Sequence, residues 1–239
     1  MLPILFFLSF FSLVFPSEWK VSPIKIELNP MDRTSSITVY NVGDVPINFQ
    51  VKAMEWTQDN EGKDVYKDTQ DIIFFPKVFT LEPGKERVIR IGIKALNPIQ
   101  ERTYRLFIEQ IPPSVIKEEA VLRIALRIGV PIFVKPLKED VRWVITKKAI
   151  ENGAFVLEFQ NTGNVHIRIN SIRLRGIDTQ GREVFSKNIE GWYVLAGAKR
   201  IFSEKIEDCE KVSRLRFEIL GIGVKWEDGL EVIKKDCSR

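Results

Sequence analysis

Residues Ala120 to Pro136 read AVLRIALRIGVPIFVKP. Leu122, Ile124, Leu126 and Ile128 alternate with Arg123, Ala125 and Arg127, so as a strand the stretch has one branched-apolar face and one face of small or charged side chains. A continuous apolar run from Val130 to Val134 follows and ends at Lys135-Pro136, where proline has no N–H to offer a ladder. One β domain lies before this strand and a second after it, which sets it at the hinge.

Upstream the chain reads as short two-faced strands separated by turns. Ile24, Ile26 and Leu28 alternate with Lys25 and Glu27 up to Asn29-Pro30; Ile37 to Val42 resumes the pattern, and Asn41 to Pro46 holds a Gly43-Asp44 turn. Ile47, Phe49, Val51 and Ala53 share one face of a strand running to Trp56, and Gln58 to Thr69 reads as a polar loop. Phe74 to Leu81 is aromatic-rich around Pro76 and leads into Glu82-Pro83-Gly84-Lys85, a turn in which proline presets φ and glycine supplies a positive one. Ile89, Ile91 and Ile93 then point inward, as do Tyr104, Leu106 and Ile108 on a strand that Ile111-Pro112-Pro113 stops.

Residues 136–140, PLKED, are polar and proline-marked and form the domain boundary. Beyond them strands are expected at Val141 to Thr146, Phe155 to Phe159, Val165 to Leu174, Tyr193 to Leu195 and Leu215 to Ile219, with turns at Asn161 to Asn164 and Asp178 to Gly181. Helical periodicity is nearly absent. The expectation is an all-β fold of two immunoglobulin-like β-sandwich domains, 18–137 and 138–239, with no sequence repeat between them.

A chain of 239 residues that is 44% hydrophobic can build a core in each domain. With 28% charged residues and a net charge of only +4, it has no run of Lys and Arg dense enough to track phosphates, which argues against nucleic acid. Residues 1–17, MLPILFFLSFFSLVFPS, carry no charged side chain and break at Pro16-Ser17, as in the apolar part of a secretory signal peptide. No basic residue precedes that run, and the competing reading is an uncleaved N-terminal anchor. In an exported chain the two cysteines, Cys209 and Cys237, favour one disulfide, worth roughly 3 to 4 kcal/mol by chain entropy; in a reducing compartment they would be free thiols.

No G-x-S-x-G, H-E-x-x-H, P-loop or G-x-G-x-x-G is present, and His166 is the single histidine. Lying between Val165 and Ile167 on the face that carries Arg168 and Asn170, it reads as an exposed sheet-face residue. The paired acids Glu118-Glu119 stand beside Lys117 in what reads as a solvated loop. No catalytic residue, metal site, cofactor or small-molecule substrate is indicated, and the sequence argues against an enzyme.

Five segments carry a resemblance in order: Asn41 to Pro46, Phe75 to Gly84 leading into Val88-Ile89-Arg90, Tyr104-Arg105 closing on Ile111-Pro112-Pro113, Val130 to Pro136, and Phe159-Gln160-Asn161-Thr162-Gly163-Asn164-Val165-His166. Together they resemble the PapD-like periplasmic chaperones of the chaperone-usher pathway, over essentially the whole chain after residue 17. The resemblance implies two domains arranged as an L with a cleft between them. It also implies a periplasmic, non-enzymatic chaperone of pilus or fimbrial subunits that passes them to an outer-membrane usher. Such subunits lack their last strand, and the chaperone lends its own by β-strand addition. The lending residues fall on Leu122, Ile124, Leu126 and Ile128; the competing reading is that they fill the protein's own core.

In that family two basic residues in the cleft hold the subunit's terminal carboxylate. The first falls on Lys25, which keeps the charge but not the guanidinium fork; the second falls on Pro131, a departure that points to the archaic branch. Arg105 or Arg127 is then the substitute anchor, and the competing reading of either is a solvated sheet-face arginine. Arg90 and Glu101 fall on the family's structural salt-bridge pair. A second functional class also follows from two immunoglobulin-like domains behind a signal peptide: a secreted structural or adhesive protein that binds no subunit.

Overall fold

The computed structural model describes residues 18–94, 98–112 and 125–237. The apolar N-terminus and the outer end of the hinge strand, with Leu122 and Ile124, lie outside the described residues.

In the first half the alternating stretches become β1 (Trp19–Ser22), β2 (Ile26–Leu28), β3 (Thr34–Asn41), β4 (Ile47–Gln58), β5 (Asp64–Asp68), β6 (Ile72–Phe75), β7 (Val78–Leu81), β8 (Glu86–Ile93), β9 (Arg102–Ile111) and β10 (Arg127–Val134). One sheet runs β1-β3-β8-β6 and the other β2-β10-β9-β4-β5, with β7 also on β4. The two inner faces meet in one core, where Ile37, Val39, Ile89 and Ile91 pack against Phe49, Tyr104, Leu106, Ile108 and Ile132. The inward set expected for β8 and β9 is buried, and β9 also buries Thr103, Arg105 and Phe107 on its other face.

Two expectations are corrected here. Ile24 is 76% exposed rather than part of an alternating strand, because the chain leaves one sheet at Ser22, passes Pro23 and enters the other only at Ile26. The polar stretch 58–69 is not all loop: β5 pairs with the far end of β4, Trp56 opposite Tyr66. Val65 and Tyr66 are adjacent rather than alternating, so no period of two announces this strand. What fixes it is the Tyr66 ring set edge-on against Phe107 at 5.3 Å, a contact between residues distant in sequence.

The second half forms β11 (Trp143–Glu151), β12 (Ala154–Asn161), β13 (Ile167–Ile177), β14 (Glu183–Glu190), β15 (Tyr193–Val194), β16 (Lys199–Lys205), β17 (Arg214–Ile222), β18 (Val224–Glu231) and a short α1 (Lys234–Cys237). A β11-β12-β16 sheet faces a β14-β13-β17-β18 sheet that carries β15 on β13. Phe155, Leu157, Phe159, Ile169, Leu174, Leu215 and Phe217 fill the space between them. β14, β16 and β18 went unread in the sequence because each fully buries one residue, Phe185, Phe202 and Val224 respectively.

The two halves share a device, an Asn-x-Gly turn at Asn41 and at Asn161. Asn41, buried at the end of β3, donates to the carbonyls of Val45 and Leu81 and accepts from the Gly43 N–H. Asn161, buried at the end of β12, donates to Val165 and Val194 and accepts from Gly163. Each amide ties a turn to a neighbouring strand with its buried polar groups satisfied. Glycine is needed two residues later: a Cβ on Gly163 would lie 2.2 Å from the Asp140 carbonyl oxygen.

Cys209 and Cys237 are bonded, with Cα atoms 5.6 Å apart, and clip α1 to the turn after β16 across 28 residues of chain. Thiol titration of the denatured, unreduced protein should find no free thiol in this pair. Cys237→Ser should cost about 3 to 4 kcal/mol in denaturant unfolding.

Candidate functional site

The hinge strand β10 lies antiparallel to β9, with Arg127 opposite Glu109, Gly129 opposite Phe107, Pro131 opposite Arg105 and Phe133 opposite Thr103. Opposite residues share a face, so these eight residues form one surface of the sheet. On the other surface Val130, Ile132 and Val134 are buried in the first domain's core, and Ile128 and Leu126 pack partly buried against its rim. The face expected to be lent is thus the outward continuation of the face that fills the protein's own core. Of the four lending residues, Leu126 and Ile128 are described, and both sit at this transition.

The other edge of β10 is only partly used. β2 runs parallel to it over Ile132 to Val134 alone, so from Arg127 to Pro131 this edge has no partner strand among the described residues. Backbone donors and acceptors left at such an edge are a template for a further strand.

The three expected anchors differ in what they hold. Lys25 is exposed and donates to Glu27 at 2.6 Å. Burial raises the Glu27 carboxyl, but hydrogen bonds and charges from Lys25 and Lys135 outweigh it and leave it below the usual carboxylate range. Arg127 is also committed: it pairs with Glu109 at 2.6 Å and stacks 3.7 Å over the Phe107 ring. The absence of a side chain at Gly129 makes room for that ring, since a Cβ there would stand 2.8 Å from Phe107. Arg105 is different. It is 7% exposed and lies 4.0 Å over Trp56; its Nη1 donates to the Gly129 carbonyl at 2.9 Å, while buried Nε and Nη2 have no hydrogen-bond partner. Being opposite Pro131, it presents its guanidinium on the surface where a residue 131 side chain would point.

The second domain closes over this surface. Trp56, Phe133 and Leu195 form a small core of their own, joined by Tyr66 and Tyr193. His166 stacks on Phe133 with ring centroids 3.7 Å apart, so it is not the exposed sheet-face residue expected from its alternation; the first domain covers that end of the sheet. The Glu101 carboxylate, fully buried, accepts from the His166 backbone N–H at 3.0 Å and lies 2.9 Å from its Nδ1. Arg90 does not join Glu101: it is exposed on β8, in the opposite sheet of the sandwich, with the core between them. Asp64 accepts from Gln58 and Tyr66 in its own domain and from the Trp192 indole at 2.9 Å across the joint. Burial first, and then the charge on Asp64, raises the Tyr66 phenol. Among the described residues no group of three or more His, Cys, Asp and Glu could hold a metal ion.

Sequence reading missed Arg168, Arg200 and Trp192, which gather where the second domain meets Arg105. The only available signal was that Arg168 shares the face of His166.

The fold and the site together are a two-sandwich protein whose hinge strand has one edge without a partner strand, beside a buried cation with no ion pair, among the described residues. The profile of the pili and flagellar-assembly chaperones, PapD N-terminal domain, matches residues 19–139, and the chain belongs to that family of non-enzymatic pilus-assembly chaperones. The fold is similar to a chain of the CsuC–CsuE chaperone–tip adhesion subunit pre-assembly complex, from archaic Csu pili of Acinetobacter baumannii, at 17% identity over 90% of this chain and 98% of that one, TM-score 0.60. It is likewise similar to the E. coli chaperone DraB (16%, 89% and 97%, TM-score 0.54). A third similar structure is a Salmonella enterica SafA pilin complex with the SafB chaperone (13%, 89% and 95%, TM-score 0.53). No curated protein matches the chain.

His166→Ala should lower stability by about 1 to 3 kcal/mol, because it strips the imidazole donor from a buried carboxylate. A double-mutant cycle with Glu101→Gln should show coupling well above the 0.5 kcal/mol expected of independent sites. Additivity would mean that the contact does not join the domains energetically.

Proposed function

We propose that this chain binds incomplete immunoglobulin-like pilus subunits in the periplasm by lending them the outer part of its hinge strand, Leu122 to Ile128, and passes them to an outer-membrane usher. Residues 1–17 serve as the export signal, 18–137 as the lending domain and 138–239 as the second wall of the cleft. The observation that carries the reading is the divided strand β10: its inner half is locked between β9 and β2, and its outer half has one edge without a partner strand among the described residues, beside an apolar face that leads off the core. An extended subunit segment set against that edge would gain main-chain hydrogen bonds, and its apolar groove would take alternate side chains, the two ingredients of β-strand addition. Each lent side chain is worth at most about 1.5 to 3 kcal/mol, less for Leu126 and Ile128, which are already partly buried.

Arg105 takes the role that Lys25 and Pro131 leave unfilled. Lys25 is paired with Glu27 and Arg127 with Glu109, whereas the Arg105 guanidinium has two unsatisfied nitrogens. Of the three it is the one whose burial an incoming carboxylate would most relieve. The replacement of the usual basic residue by Pro131 supports placing the chain in the archaic branch.

Leu126→Glu tests the reading. In the free protein the new carboxylate sits at the rim of the core and can reach water, so thermal stability should stay within a few degrees of the parent. In a subunit groove the same carboxylate is buried without a partner at a cost of several kcal/mol, so the yield of soluble co-expressed pilus subunit should fall more than tenfold. Normal subunit protection by a folded variant would defeat the proposal.

A further inference from the structure

We propose that Arg175 and Arg216, side by side on the outer face of the second domain, bind a single doubly charged oxyanion of the phosphate type. The site lies along β13 from Arg168, roughly 20 Å away at a strand's rise, and does not depend on strand lending.

Strand parity and register build the site. Ile172, Leu174 and Gly176 on β13 and Leu215, Phe217 and Ile219 on β17 are buried, which leaves Arg173, Arg175, Arg214, Arg216 and Glu218 on the outer face. Arg175 is directly opposite Arg216. The same row crosses all four strands, with Ser186 of β14 opposite Arg175 and Gly229 of β18 opposite Arg216. It therefore holds a hydroxyl, two guanidiniums and a position without a side chain, and no acid. Like charges directly opposite one another cost an antiparallel pair stability.

The rows on either side are matched in charge. Arg173 pairs with Glu218 at 3.3 Å, and Arg214 with Glu231 at 2.6 Å. Arg175 and Arg216 have no ion pair or hydrogen bond among the described residues, although both line the same groove of about 470 Å³ as those two acids. Asp228 in that groove is taken by Lys148. Glu227, its remaining acid, stands opposite Glu218 in the next row and is within ion-pair distance of neither arginine.

The class of ligand follows from charge and donor count. Two guanidiniums carry two positive charges, which a phosphate largely matches at neutral pH and a carboxylate only half matches. Each fork can engage two oxygens and Ser186 adds a hydroxyl, so three terminal oxygens on one centre use the row better than two. Glu218, Glu227 and Glu231 border the row and limit the ligand's extent. They would repel a continuous anionic surface such as a bilayer, whereas one soluble oxyanion fits between them.

The full chain is titrated with inorganic phosphate, with acetate and with sodium chloride at matched ionic strength, and read by NMR at the arginine Nε–H groups. Phosphate should give saturable shifts at Arg175 and Arg216, while acetate and chloride should not saturate. Arg175→Gln and Arg216→Gln should each raise the phosphate dissociation constant at least fivefold. Arg182→Gln, which removes a guanidinium already paired with Asp178, should leave it unchanged. Ser186→Asp places an internal anion opposite Arg175, so it should weaken phosphate at least fivefold and also raise the midpoint of thermal unfolding, a gain that damage to the sheet would not produce. No saturation, acetate binding as tightly as phosphate, or an Arg175→Gln protein that titrates like the parent overturns the site. Co-sedimentation with phosphatidylglycerol vesicles that Arg175→Gln abolishes overturns the assignment to a soluble anion in favour of a lipid headgroup.

Discussion

The structure depends on one strand that is asked to do two incompatible things. β10 is a central strand over Ile132 to Val134, hydrogen-bonded on both sides, and from Arg127 to Pro131 it is an edge strand, bonded among the described residues to β9 alone. Its apolar face cannot end where the sandwich ends, because a strand's period of two carries every even residue to the same side. Leu126 and Ile128 therefore emerge at the rim of the core on the parity of Val130 and Ile132. An apolar face and an open backbone edge in one segment are an aggregation hazard in most proteins. On the proposed reading they are the binding site.

The strand's inner end is held by the joint between the domains. Phe133, on the outer face of β10, is held between Trp56, Tyr193 and the stacked imidazole of His166, while Glu101 ties the same histidine to the start of β9. The β4–β5 hairpin adds a second clamp, with Gln58 donating to the Tyr193 carbonyl and accepting from the Leu195 N–H. Polar groups are buried here, but they are paired across the boundary, so the joint behaves more like a core than like a loose inter-domain contact.

Electrostatics separates bases of similar charge. Lys25 and Arg127 sit where water and a neighbouring acid already satisfy them, and such exposed pairs are worth little. Arg105 is held between indoles with its fork half unused. The difference lies in surroundings rather than residue type.

Much of the fold was legible in the chain because it follows from local periodicity. Alternation at 37–42, 47–56, 88–93 and 104–111 marks strands whose two faces see different solvents, and proline and glycine mark their ends. The two-faced hinge strand and its parity were equally plain, since both belong to a single segment. Tertiary structure decided whatever depends on residues far apart in sequence. It made a strand of 64–68, which has no alternation of its own, and it covered His166 with a domain that local pattern cannot see. It gave Glu101 a histidine partner in place of Arg90, because the two sheets of the first sandwich hold Arg90 on the far side of the core. It also left Arg105 unmatched while satisfying Lys25 and Arg127. Side-chain period is a property of the backbone and can be read along one strand, whereas burial and charge compensation are sums over neighbours that only the folded chain brings together.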